Sequence, residues 1–211
     1  MQKSIWIILG VVVLGIILSV VVLVAVGVGS YNRLVGLSQG VEKQWAQVQN
    51  VYQRRADLIP NLIATVSGAA NFEKSTLVEI TQARASVGKV QVDANQALND
   101  PAKFAEFQQA QAGLSSALSR LLVVVERYPD IKATANFQEL QAQLEGTENR
   151  IAVERGRFND AAQAYNTAIK RFPTLLFAGL MGFKEKPYFA AVTGAEKPPK
   201  VEFNFSGTPA K

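Results

Sequence analysis

Arginines and carboxylates gather in two stretches of this chain. QRRADLIPNL, residues 53–62, carries Arg54, Arg55 and Asp57, and residues 148–160 add Glu148, Arg150, Glu154, Arg155 and Asp160. Arginine forks grip phosphate or carboxylate in two-point contacts, and carboxylates can move protons, so an enzyme acting on an anionic substrate is one reading. The rest of the inventory speaks against it. With zero His and zero Cys, zinc, haem and Cys- or His-dependent catalysis are excluded, and only carboxylate-bound hard cations remain. There is no glycine-rich phosphate loop and no nucleophile elbow, and charges on helices are usually solvated or paired across helices. The sequence therefore assigns no catalytic residue, no cofactor and no metal, and ranks an enzyme last among three functional readings.

The elements that must position these charges are helices. Leu34, Leu37, Val41, Trp45, Val48, Tyr52, Arg55, Ile59, Leu62 and Val66 recur at steps of three and four, which makes one stripe on a long helix. A second helical stretch runs through Leu77, Ile80, Val87 and Val90, separated or bent near Gly68 to Asn71. Asp100-Pro101 predicts an N-cap followed by proline in the first turn of a third helix, ending before Tyr128-Pro129. The fourth spans about Ala133 to Phe172, with Phe137, Leu140, Leu144, Ile151, Phe158, Ala162, Tyr165, Ile169 and Phe172 in the same rhythm, and Pro173 stops it. Only VEFNF, residues 201–205, alternates like a strand, inside a tail rich in Lys, Pro and Gly. The predicted fold is all-α: an N-terminal membrane span followed by an antiparallel up-and-down four-helix bundle. The domain boundaries are an anchor at 1–30, the bundle at 31–172, and an apolar and basic segment with a loose tail at 173–211.

This frame gives the charges a use. Proline inside a helix removes the bond to the carbonyl four residues back and crowds that turn, so a kink is expected between Arg55 and Pro60, with the helix continuing beyond. Asp57 and Asn61 are placed to satisfy freed backbone groups or each other. Counting along the first stripe puts Arg55 on the buried seam and Arg54 beside it towards solvent. Counting back from Phe158 through Arg155 and Ile151 reaches Glu148, read as the one seam carboxylate. With the first and fourth helices antiparallel, and Tyr31 and Phe172 both near the membrane end, Arg55 and Glu148 stand at equal height. A buried charge needs a partner, so the two are expected to pair, with Arg155 and Asp57 close by. The alternative is that both side chains reach solvent from the seam edge.

The amino end is a membrane anchor by length and composition. Ile5 to Val28 is uncharged and at about 1.5 Å per residue it crosses a hydrocarbon core of about 30 Å. A cleaved signal peptide is the competing account, but its apolar region is shorter. Trp6 and Tyr31 sit where aromatic rings favour headgroups, and Gly15 with Ser19 permits close approach of a second helix. Lys3 favours a cytoplasmic amino end and Arg33 with Lys43 the reverse; the reading taken places the body outside the cytoplasm.

The formal charge is +5, with the basic excess at the carboxyl end. No dense basic stripe is present, so nucleic acid is not an expected partner; anionic lipid is the fitting counterpart. TLLFAGLMGFKEKPYF, residues 174–189, is densely apolar and carries Lys184 and Lys186. It either caps the open end of the bundle or dips Phe177, Phe183, Lys184 and Lys186 into the lipid interface. Asn32, Asn159 and Asn166 each follow an aromatic residue and either bridge neighbouring elements or face solvent.

YNRLV at 31–35, QRRADLIPNL at 53–62, YPDIKATANFQELQAQLEGTENRIAVERGRFND at 128–160 and YNTAIKRFP at 165–173 together resemble the LemA family of bacterial membrane proteins. The resemblance implies a single N-terminal span, a helical bundle and no established reaction; the expected location is the bacterial inner membrane. The favoured functional reading is a non-enzymatic scaffold or adaptor of the envelope that self-associates, as a homo-oligomer, or holds another envelope protein. The second is a protein that binds or remodels the bilayer through its carboxyl-terminal segment.

Overall fold

A computed structural model describes residues 2–68, 72–91 and 94–190. The described residues are mostly helical, with no strand among them. The long helices are α1 (Gln2–Ser67), α2 (Lys74–Gln91), α4 (Pro101–Val125) and α6 (Ala135–Lys170); α3 (Ala94–Ala97), α5 (Pro129–Lys132) and α7 (Thr174–Ala178) are single turns.

Helix ends follow local chemistry. Asp100, extended at φ −132° and ψ 105°, accepts from the amides of Ala102 and Lys103 before Pro101 opens α4, so the expected cap is present. Thr134 does the same for α6 through the Phe137 amide, which starts that helix two residues later than periodicity suggested. At its other end α6 stops at Lys170, ahead of Phe172. The helical period no longer holds there, and Phe172 is 79% exposed instead of lying on the seam. VEFNF and the rest of residues 191–211 lie outside the described residues.

α1 is one helix with two environments. Its large apolar side chains from Leu9 to Val24 are exposed, whereas Leu34, Val41, Trp45, Val48, Tyr52, Ile59, Leu62 and Val66 are buried. The predicted stripe is thus the core face, with Leu37 half-covered at its edge. α1 packs along α6, and α2 packs along α4. Two apolar clusters fill the body. The one nearer the exposed part of α1 joins Trp45, Phe104, Phe107 and Phe158 with Tyr165 and Phe189; the distal one joins Ile59, Leu62, Ile80, Leu114, Leu121 and Phe137. Burial of this kind, about 1.5–3 kcal/mol for each large side chain, holds the helices together.

Pro60 lies within α1, which continues to Ser67 without chain reversal. The carbonyl of Ala56, left without an amide by the proline, accepts from Arg84 Nε of α2 at 3.3 Å. Asp57 does not fill that role: its carboxylate takes the Gln53 amide at 2.7 Å, while the backbone carbonyl of Asn61 accepts from the Thr65 hydroxyl. A guanidinium on a packed neighbour reaches a carbonyl that short side chains on α1 itself leave alone.

Candidate functional site: a buried arginine beneath a carboxyl-terminal strap

Arg55 projects from the core face of α1 and is 1% exposed. Its Nη1 donates to Glu148 Oε1 of α6 at 2.7 Å and to Ser115 Oγ of α4 at 2.6 Å. Its Nη2 donates to the side-chain and backbone oxygens of Gln111. Three helices are therefore joined through one guanidinium. The remaining donor, Nε, is buried without a hydrogen-bond acceptor; the guanidinium lies 5.1 Å from the ring centre of Tyr52, and a π face offers partial compensation. Trp45 and Phe158 are in ring contact at 5.6 Å, and the steps from Trp45 to Arg55 and from Phe158 back to Glu148 are equal, so both pairs report one antiparallel register.

Of the other residues named from sequence, Arg54 is exposed and Asp57 is on the solvent side of α1. Arg155 is half-buried, stacks 4.7 Å over Phe189 and donates to the Ala190 carbonyl. Glu148 is not the one seam carboxylate: its side chain is 39% exposed, while that of Glu154 is 6% exposed and pairs with Arg157. Both Glu154 and Arg155 lie within a step of three or four from Phe158, so counting alone does not choose between them. Sequence reasoning missed Gln111 and Ser115. The signal for Gln111 was present, because Phe104, Phe107, Gln111, Leu114, Leu118, Leu121 and Val125 form the buried stripe of α4 with one polar interruption. A buried amide on one helix and a buried arginine on another are natural partners.

Beside Arg55 is a cavity of about 410 Å³ lined by Tyr52, Gln108, Gln111, Ser115, Glu148 and Arg155, with Ala190 at its rim. Asp57 does not line it. Burial pushes the Tyr52 phenol above its ordinary value, against the opposing pull of Arg155 and Arg55. The cavity's carboxylate is engaged by Arg55, and Ser115 faces a guanidinium where a nucleophile needs a base. The arrangement crosslinks helices.

The segment 183–190 is an extended strap laid antiparallel along α6. Asn166 binds both the amide and the carbonyl of Lys186, at 2.8 Å each. Two turns earlier on α6, Asn159 does the same for Phe189, at 3.0 and 2.9 Å. Gln108 of α4 takes the Ala190 amide. These two asparagines bridge elements, whereas Asn32 is exposed. Phe189 is thereby set among Trp45, Phe104 and Phe158.

The residues expected at a lipid interface divide. Trp6 is 70% exposed on the apolar part of α1. Tyr31 contacts the ring of Phe183, which also reaches Tyr165. Phe177 is half-covered against Gly27, where a Cβ would lie 3.7 Å from its ring. Lys184 is exposed. Lys186 is not an interface residue: it is 8% exposed, its Nζ donates to Asn99 at 2.7 Å, and it lies over Tyr165. Burial lowers its pKa, opposed by Glu42. An ammonium with an amide acceptor and an aromatic face inside the body has no need of headgroups.

The chain is similar to several known bacterial proteins. Magnetosome protein MamQ 2 of Paramagnetospirillum magneticum is 28% identical over an aligned length of 197, covering 86% of this chain and 72% of the relative. Magnetosome protein MamQ of Magnetospirillum gryphiswaldense is 26% identical with the same coverage. Protein LemA of Metamycoplasma hominis is 24% identical over 162, covering 77% and 69%. These relatives and the N-terminal apolar helix fit a membrane protein. Residues 44–203 match the LemA family, and the chain belongs to it.

Proposed function

We propose that this protein is a non-enzymatic, membrane-anchored helical scaffold of the bacterial envelope, which works by self-association or by holding another envelope protein. The observation that carries the reading is α1 itself. One helix is exposed and apolar at its start and becomes the central core element of the body, so whatever the body binds is held rigidly at the bilayer. The charged cluster that could have indicated catalysis is spent on joining α1, α4 and α6. Lys3 at the amino end supports anchoring in the inner membrane with the body outside the cytoplasm, under the tendency of basic residues to stay inside, and Arg33 with Lys43 pull the other way. A second reading, in which the carboxyl-terminal segment binds or remodels the bilayer, draws on the exposed apolar residues beside the anchor.

Photocrosslinkers placed at exposed body positions such as Arg54, Val123 and Val153, in intact membranes, test the scaffold reading. Discrete adducts at one or more positions are expected; a mass of twice the chain indicates self-association, and any other mass a distinct partner. Background labelling alone at every position would sink it.

A further inference from the structure

The end of the body from which α1 leaves is apolar and uncovered. Phe172 is 79% exposed, Leu175 56%, Leu176 57% and Leu180 87%. Elsewhere on the described part of the body the large exposed apolar side chains are Val78, Val123, Val153 and Tyr188, spread over α2, α4, α6 and the strap, and a few of this kind are ordinary for a soluble surface. A clustered set at one end is not.

Depth decides what covers it. The first fully buried residue described on α1 is Gly27, beneath Phe177 of α7. From Trp6 to Gly27 the helix measures about 32 Å at a rise of about 1.5 Å per residue, against a hydrocarbon core of about 30 Å. α7 therefore sits at the level where hydrocarbon gives way to headgroups. Its inner side, through Phe177, holds α1, while Leu175 and Leu176 remain uncovered. Exposed Arg33, Arg171 and Lys184 lie in the adjoining sequence, and Tyr31, 46% exposed, adds an amphipathic ring. Apolar residues with basic and aromatic neighbours at this depth are the composition of an interfacial segment.

We infer that residues 172–180 form a lipid-facing foot, entering the headgroup boundary of the leaflet from which α1 emerges and fixing the body against the membrane at a second point. The inference rests on α1 crossing the bilayer, which the proposed function also assumes. It differs from the sequence expectation in its residues: Phe172, Leu175, Leu176 and Leu180 contact lipid, while Phe183 and Lys186 belong to the strap.

The chain has no cysteine, so a single introduced thiol can be labelled cleanly. The full-length protein is reconstituted into phosphatidylcholine and phosphatidylglycerol vesicles with a fluorophore at Leu176→Cys, Leu180→Cys, Ile17→Cys on the anchor or Val123→Cys on the distal body. Quenching is read with a lipid-borne quencher at headgroup depth, one at mid-chain depth and a water-soluble one. Several-fold stronger quenching of positions 176 and 180 by the shallow lipid quencher than by the aqueous one is expected, with Ile17→Cys quenched at mid-chain depth and Val123→Cys from water. Aqueous quenching of 176 and 180 equal to that of Val123→Cys, with Ile17→Cys still in lipid, would overturn the foot and leave the anchor standing. Aqueous quenching of Ile17→Cys would overturn both. Shielding of 176 and 180 from every quencher would also overturn the foot, since a second copy would then cover this end.

Discussion

Arg55 is costly to bury and makes up for that cost only through its partners. Glu148 remains partly in water, so losing Arg55 frees a carboxylate that solvent can receive, while Gln111 is left buried without its donor. Losing Glu148 instead leaves a guanidinium at 1% exposure with neutral acceptors alone. The two single changes should therefore be unequal. Glu148→Leu is expected to destabilise by about 3 kcal/mol and Arg55→Met by about 1–2 kcal/mol. In denaturant unfolding, the double variant should recover at least about 1 kcal/mol of the sum of the single losses. Strict additivity would show that the pair does not set the register. Arg55 and Glu148 could be placed from sequence because helical periodicity and antiparallel geometry fix a residue's height and face. Gln111 and Ser115 could not, because a seam with one polar member does not say which facing helix supplies its partner.

At the level of elements, Pro60 ties α1 to α2 by what it lacks. The Ala56 carbonyl has no amide to receive within its own helix and takes Arg84 from the neighbour. In Pro60→Ala the restored amide can close the bond, and the helix should gain about 2 kcal/mol after the lost chain stiffness is discounted. Arg84→Ala should cost about 1 kcal/mol in the natural background and almost nothing in the Pro60→Ala background. Equal costs in both, read from urea midpoints at constant slope, would show that Arg84 acts elsewhere. The proline was legible and its rescuer was not, since Arg84 lies on another helix and nothing local marks its target. The strap was illegible for a related reason. An extended segment bound through its backbone leaves no period, and the lysines and aromatics of residues 183–189 have the same composition whether they meet lipid or, as Lys186 and Phe189 do, the interior. Asn159 and Asn166 were the available signal: two amides spaced two turns apart on one helix, able to pair with a peptide laid beside it.

On the scale of the whole molecule, α1 joins bilayer and body without an intervening linker. Its 66 residues extend about 100 Å, and the transition from exposed to buried falls at Gly27 to Leu34. The all-α class and the long first helix could be read from an uncharged run that passes directly into a stripe of period 3.6. α7 and the strap pack on α1 and α6 through contacts that lie far apart in sequence and leave no local signal. The most direct test of one rigid helix serving as both anchor and core is amide hydrogen exchange on the full-length protein in lipid nanodiscs, read across Val24 to Leu34. Protection there comparable to that of Trp45 to Ile59 is expected, since continuous helical bonds and packing from both sides would suppress local opening. Exchange at near-unfolded rates between Val24 and Leu34, with protected segments on either side, would reveal a hinge and contradict the account.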